Sequence, residues 1–271
     1  MPLKVKDIKD ILEEYAPLEL KQSYDNVGLM LGNVDLDITG ILIALDCTLD
    51  IIHEAKIKNC NLIITHHPLL FIKPATITDS TLTGVKIMEL IKNGISVYSS
   101  HTNLDAAKGG LNDILGSLLG FSNLEMIEPI LNKDNIYEGA GIGRITTLVE
   151  TITLKCLCEN IKNALETAII RYCGDDAMEI NKIAIINGSG EDYFKVAKEL
   201  GAQCIITGDT TYHYINDYNE MGIAIIDAGH FETEWPAMKV LANILEKKIR
   251  IKEFTNPVII SDCSRSPYKY A

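Results

Sequence analysis

The chain is short of positive charge. It carries 25 lysines and arginines against 37 aspartates and glutamates, a net charge of −12. Binding along a nucleic-acid backbone relies on clustered Lys and Arg, so nucleic acid is not an expected partner. A local basic pocket that meets one phosphate is still compatible with the deficit. Cysteine is sparse and unpatterned. The seven cysteines are odd in number and form no C-x-x-C pair. Cys156 and Cys158 fall two apart in a helical-looking run and would project about 200° apart. This argues against a disulfide framework and fits a reduced cytosol. No apolar run approaches the roughly 18 residues of a spanning helix. The start, Met-Pro-Leu-Lys-Val-Lys-Asp, has no signal-peptide core, so a cytoplasmic location is expected and no membrane partner. There is no low-complexity tract, no glycine-rich phosphate loop and no guanine-reading motif.

What is present is an ordinary globular composition. The chain has 271 residues, 47% hydrophobic and 23% charged, enough for one or two domains. Strand-like and helix-like runs alternate. Gly40–Leu45, Leu62–Thr65 and Ile95–Ser99 read as buried strands. Asp50–Lys58, Thr83–Lys92 and Gly110–Leu119 read as helices, the second ended by Asn93-Gly94. The alternation predicts an α/β fold with parallel strands.

The second half repeats the first at an offset of 142. Ile41-Leu-Ile-Ala falls on Ile183-Ala-Ile-Ile, Asp50–Lys56 on Asp192–Lys198, and Leu62–Thr65 on Cys204–Thr207. Asp50, Ala55, Lys56, Ile63, Ile64 and Thr65 meet identical residues there. Such self-similarity predicts a duplicated unit. A boundary is expected near Glu128-Pro129-Ile130, ahead of the polar stretch 129–139. The first domain is then 1–128 with 235–271, and the second 129–234.

Histidine is also scarce, with six in the chain. Four of them sit in three short segments after predicted strands. His66-His67-Pro68 closes the run Leu62-Ile-Ile-Thr65. His101-Thr-Asn-Leu-Asp105 follows the third strand, and His230-Phe-Glu-Thr-Glu234 follows its counterpart in the second half. His-x-x-x-carboxylate places both side chains on one face of a helical turn. Imidazole and carboxylate without thiolate suit Zn, Mn, Fe or Co. Six candidates exceed one closed site and suit two divalent ions roughly 3.5–4 Å apart, bridged by a carboxylate.

At these residues the chain resembles the YbgI/NIF-three-like family, whose members are often named GTP cyclohydrolase 1 type 2 homologues. The shared motifs are Tyr24-Asp-Asn-Val-Gly-Leu29, Ile64-Thr-His-His-Pro68, Ser100-His-Thr-Asn-Leu-Asp105, Gly139-Ala-Gly-Ile-Gly-Arg144, Thr207-Gly-Asp209 and Asp227–Glu234. The family usually has Trp where Tyr24 stands. Some members carry an inserted domain that this length leaves no room for. The resemblance implies two intertwined, pseudo-duplicated α/β domains with a dinuclear metal site between them, assembled as a toroidal homohexamer. It implies His66 and His230 on one ion, His67 and Asp105 on the other, Glu234 bridging, and His101 as a catalytic proton carrier. Asp25 and Asn26 are expected to shape a turn, Arg144 to make a structural ion pair rather than meet a phosphate, and His53 to be a bland helix residue. His213 is placed equally as a pocket or a surface residue.

Two functions compete. One is a metal-dependent hydrolase acting on a nucleotide or other small molecule, with opening of the GTP purine ring suggested by the family label alone. The alternative is a metal-handling or regulatory interaction protein without turnover. A DNA-binding ring is disfavoured by the charge.

Overall fold

Leu62–Thr65 and Ser96–Ser99 are buried at every position, as strands covered on both faces must be. They belong to one of two sheets in a mixed α/β chain, whose computed structural model describes residues 2–130 and 137–270. Two compact units form, one of Met1–Leu104 with Met238–Ala271 and one of Asp105–Ala237.

The first unit contains α1 (Val5–Tyr15), β1 (Gly28–Leu31), β2 (Ile41–Ala44), α2 (Leu49–Ile57), β3 (Leu62–Thr65), α3 (Leu82–Lys92) and β4 (Ser96–Ser99). A short helix, α4 (Thr102–Ala106), leads out of it. The second contains α5 (Leu111–Leu118), β5 (Glu125–Pro129), β6 (Gly141–Thr153), α6 (Leu154–Ala164), β7 (Arg171–Cys173) and β8 (Glu179–Ser189). It continues with α7 (Phe194–Glu199), β9 (Cys204–Gly208), α8 (Tyr212–Glu220) and β10 (Ala224–Asp227). Helix α9 (His230–Ile251) starts in the second unit and returns the chain to the first, which closes with β11 (Val258–Ile260).

The first sheet runs β1-β4-β3-β2-β11, with β1 antiparallel and the other pairs parallel. The second runs β5-β6-β8-β9-β10-β7, with a parallel centre β8-β9-β10. The repeat is carried into register. Ile41 pairs with Leu62, and Ile183 with Cys204, each residue displaced by 142. Each parallel run also has an antiparallel strand on one side, β1 beside β4 and β7 beside β10.

The Asn93-Gly94 stop is the one the sequence signals, and side-chain caps set the helix starts. Thr48 and Thr81 accept from the amides of Ile51 and Gly84, which fixes the starts of α2 and α3. Gly94 takes the left-handed conformation (φ 66°) that stops α3. The boundary differs from the expectation at residues 128–129. The second unit begins at Asp105, because β5 pairs with β6 and α5 packs beneath β8. Of the polar stretch 129–139, residues 131–136 lie outside the described residues.

Glu54 on α2 ties the end of the chain to the first sheet. Its buried carboxylate accepts from the Ser261 hydroxyl, the Asp262 amide (2.8 Å) and Lys58 (2.6 Å). Ser264 Oγ in turn accepts from the Leu45 amide at the end of β2 (3.1 Å). None of the seven cysteines is in a disulfide, and burial pushes the Cys47 thiol up to about 12 and Cys158 to about 11, which keeps both unreactive. Among the described residues, no helix is long and apolar enough to cross a membrane.

Candidate metal centre

In a parallel sheet the carboxyl ends of neighbouring strands open at one edge, where ligands bind. In the first unit β3 ends one residue before His66, and β4 ends two residues before His101. Backbone bonds hold both turns. The His67 amide donates to Leu45 O (3.0 Å) and the Ser100 amide to Thr65 O (2.9 Å). The imidazoles of His66, His67 and His101 therefore meet. Their ring centroids are 5.0 to 5.7 Å apart, and one nitrogen of each lies within 4.8 Å of the others.

Each ring has its Nδ1 engaged. His66 Nδ1 is 2.9 Å from Ser100 O, His67 Nδ1 is 2.8 Å from Asp46 Oδ1, and His101 Nδ1 is 2.9 Å from Asp25 Oδ1. A carbonyl or a carboxylate only accepts, so Nδ1 carries the proton and Nε2 the lone pair. That is the tautomer of a histidine prepared for a metal. His66 is fully buried, whereas His67 and His101 are partly exposed. Asp25 is buried as well. Burial pushes its carboxyl up, but the hydrogen bonds from His101 and from the Thr102 hydroxyl and amide outweigh it. They hold it well below the usual carboxylate range.

The second unit has its own set. His230 and Glu234 sit four apart on the first turn of α9, with His230 Nε2 3.1 Å from Glu234 Oε2. His230 Nδ1 is 2.7 Å from Asp209 Oδ2, so this ring, unlike the other three, stands between two carboxylates. Glu234 is a carboxylate at 3% exposure, which needs compensating charge. Asn187, at the end of β8, donates to Asp105 Oδ1 (2.8 Å) and to Glu234 Oε1 (3.4 Å). Asn112 braces the same corner, accepting from the Asn187 amide and donating to Asp105 O. Gly188 has φ +59°, and a Cβ there would stand 2.2 Å from Glu234 Oε1. Any side chain there would have to displace this carboxylate.

Of the six singled-out residues, the structure thus gathers His66, His67 and His101 in one unit. In the other it joins His230 to Glu234 and links Asp105 to Glu234 through Asn187. Sequence reasoning missed Asn187 and Asn112, and assigned no role to Asp46 or Asp209. Asp25 does more than shape a turn, since it orients His101. The only signal was position, as Asp46 and Asp209 each follow a predicted strand. Arg144 is a structural ion. It is 1% exposed, forks onto Asp113 (2.6 and 2.8 Å), and donates to the carbonyls of Gly141, Gly143 and Ala107. His213 is an exposed residue of α8 beside Tyr212, and His53 is exposed on α2.

Comparison with known proteins gives concordant matches. The family model described as Duf34/NIF3 (NGG1p interacting factor 3) matches residues 3–267. A Clostridium acetobutylicum protein named GTP cyclohydrolase 1 type 2 homolog is 50% identical over 271 residues, covering 100% of both chains. A Clostridium perfringens protein of the same name is 49% identical, covering 99% of this chain and 100% of its own. Among solved structures, a Staphylococcus aureus hypothetical protein has a TM-score of 0.91 at 29% identity, covering 100% of each chain.

Proposed function

The chain belongs to the Duf34/NIF3 family, and on that premise we propose that it is a divalent-metal protein with His66, His67, Asp105, His230 and Glu234 as ligands. One observation carries the reading. All four histidines have Nδ1 held by a carboxylate or a backbone carbonyl, which in His66, His67 and His101 leaves Nε2 as the donor atom, while His230 Nε2 faces Glu234 Oε2 at 3.1 Å, two acceptors that a cation between them would reconcile. A structural histidine needs no such uniform tautomer. Imidazole and carboxylate donors without thiolate fit Zn, Fe, Mn or Co. In this proposal His66 and His67 would be the first unit's donors, and Asp105, His230 and Glu234 the second's.

The activity proposed is hydrolysis. Such a pair of ions supplies Lewis-acid activation of water near neutral pH. His101 is the chain's own proton carrier. Asp25 keeps the proton on its Nδ1, so Nε2 is the atom that takes up and returns a proton. Asn187 holds Asp105 and Glu234 in position. The relatives' name makes GTP the first substrate to screen. A homohexamer is proposed as the assembly, to be read from the solution mass.

Elemental analysis of protein purified without added metal tests the reading, followed by a turnover screen with the metal found, including GTP and phosphodiesters. Fewer than one ion per chain sinks it. Glu234→Gln should lower metal content by more than one ligand's share, and two tightly held ions in that variant would exclude the bridge. His101→Ala should keep metal and lose turnover. A specific observation favours a second reading, that the chain handles metal without turnover. His101 offers its nitrogen within the same 4.8 Å cluster as His66 and His67, so the first unit has three imidazole donors of its own. Loss of metal in His101→Ala would favour that reading.

A further inference from the structure

The segment Tyr24-Asp25-Asn26 is a motif that the metal reading does not use up. Asp25 orients His101. Its two neighbours serve a different object, the stretch 66–81 that joins β3 to α3 with neither helix nor strand. A connection this long inside a compact unit usually carries function. Asn26 Nδ2 donates to Leu70 O (2.8 Å) and so braces the stretch just before Phe71. Tyr24 meets Phe71 edge-on, with centroids 6.4 Å apart and planes at 70°. Phe71 meets His101 in the same way, at 6.3 Å and 84°. Tyr24 and Phe71 are 66% and 49% exposed.

Large aromatic side chains are rarely left half in water beside a cluster of imidazoles without use. Here the exposed Phe71 ring lies 6.3 Å from His101 between it and Tyr24, and the backbone beside it at Leu70 is hydrogen-bonded to Asn26. We propose that Tyr24 and Phe71 form a stacking platform for a planar aromatic heterocycle, which they hold with its reactive edge at His101. The platform deepens the proposed function, since it rests on His101 belonging to the reaction centre. It requires a substrate with a flat ring, and it selects that ring by its π-face rather than by hydrogen-bond readout. Saturated phosphoesters and simple amides have nothing to lay on it.

The test uses ligands that differ only in the ring. Guanosine 5′-monophosphate and nicotinamide mononucleotide each contain ribose 5-phosphate, so dissociation constants for the three compounds isolate the heterocycle. At least one nucleotide should bind about tenfold more tightly than ribose 5-phosphate, the effect of one stacked base. Phe71→Leu and Tyr24→Leu should each erase most of that preference at unchanged metal content, thermal midpoint and solution mass. Phe71→Trp should keep it. The proposal is overturned if neither nucleotide beats ribose 5-phosphate, or if the preference survives both leucine variants. It is also overturned if Phe71→Leu changes the oligomeric mass, which would make the patch a contact between copies. Repeating the titrations after chelation separates the two readings. Ring preference in a chain that never held metal sinks the metal centre and leaves the platform, whereas two bound ions without ring preference do the reverse.

Discussion

Replacing Gly188 by alanine asks whether the position of Glu234 is set by the strand behind it. Two effects follow from the geometry. The residue has φ +59°, a left-handed conformation that costs an L-residue about 1–2 kcal/mol. The new methyl would also lie 2.2 Å from Glu234 Oε1 and 3.4 Å from His230 Cε1. To regain an ordinary 3.4 Å contact the carboxylate oxygen must retreat by more than 1 Å. A carboxylate on a flexible stem can make that move at small cost in stability, but a displacement of about 1 Å removes it from a productive position. Gly120→Ala is the matched control. It has φ +82° and nothing within 4 Å of the added methyl, so it carries the backbone strain without the clash. Both variants should lose about 1–2 kcal/mol in denaturant unfolding. Only Gly188→Ala should lose metal, with affinity down at least about tenfold to a hundredfold by competition against a chelator. Equal metal affinity in the two variants would refute the argument that this backbone positions Glu234.

Asp209→Asn should weaken metal binding by about tenfold to a hundredfold without altering the fold, because His230 Nδ1 loses its carboxylate (2.7 Å); unchanged affinity would show that Asp209 does not orient the ring. Acid stability should depend on Glu54. Burial raises its carboxyl, but Lys58, Ser261 and the Asp262 amide together depress it to about 2. A depressed folded value stabilises above the unfolded value near 4.5 and is lost as pH falls through about 2, at most ~3 kcal/mol. Urea midpoints should therefore fall between pH 5 and 2 more steeply in the parent than in Glu54→Gln, and parallel curves would exclude this origin.

The central strands were legible because burial on both faces demands unbroken apolar runs, and β3 matches its expected span. The duplication was legible because parallel pairing fixes register, so a constant sequence offset becomes a constant structural one. The outer strands were not. Glu125–Pro129 is mostly exposed, which gives an edge strand too little pattern to announce which sheet it joins. The histidines stood out by scarcity and spacing. Their supports did not, since Asn187 reaches Asp105 across 82 positions and an asparagine at a strand end has no local signature.

The way the chain is divided also bears on how it is made. The second unit is one continuous segment, whereas the first must wait for residues 238–271, which include β11 and two partners of Glu54, Ser261 and Asp262. During synthesis the second unit is complete on the ribosome while β2 still presents an open, wholly apolar edge. The strand that covers it emerges only after the whole of the second unit. The half-made protein is thus most exposed to misassembly at Ile41–Ala44, and synthesis rate or chaperone supply should govern its yield more strongly than the stability of the finished fold.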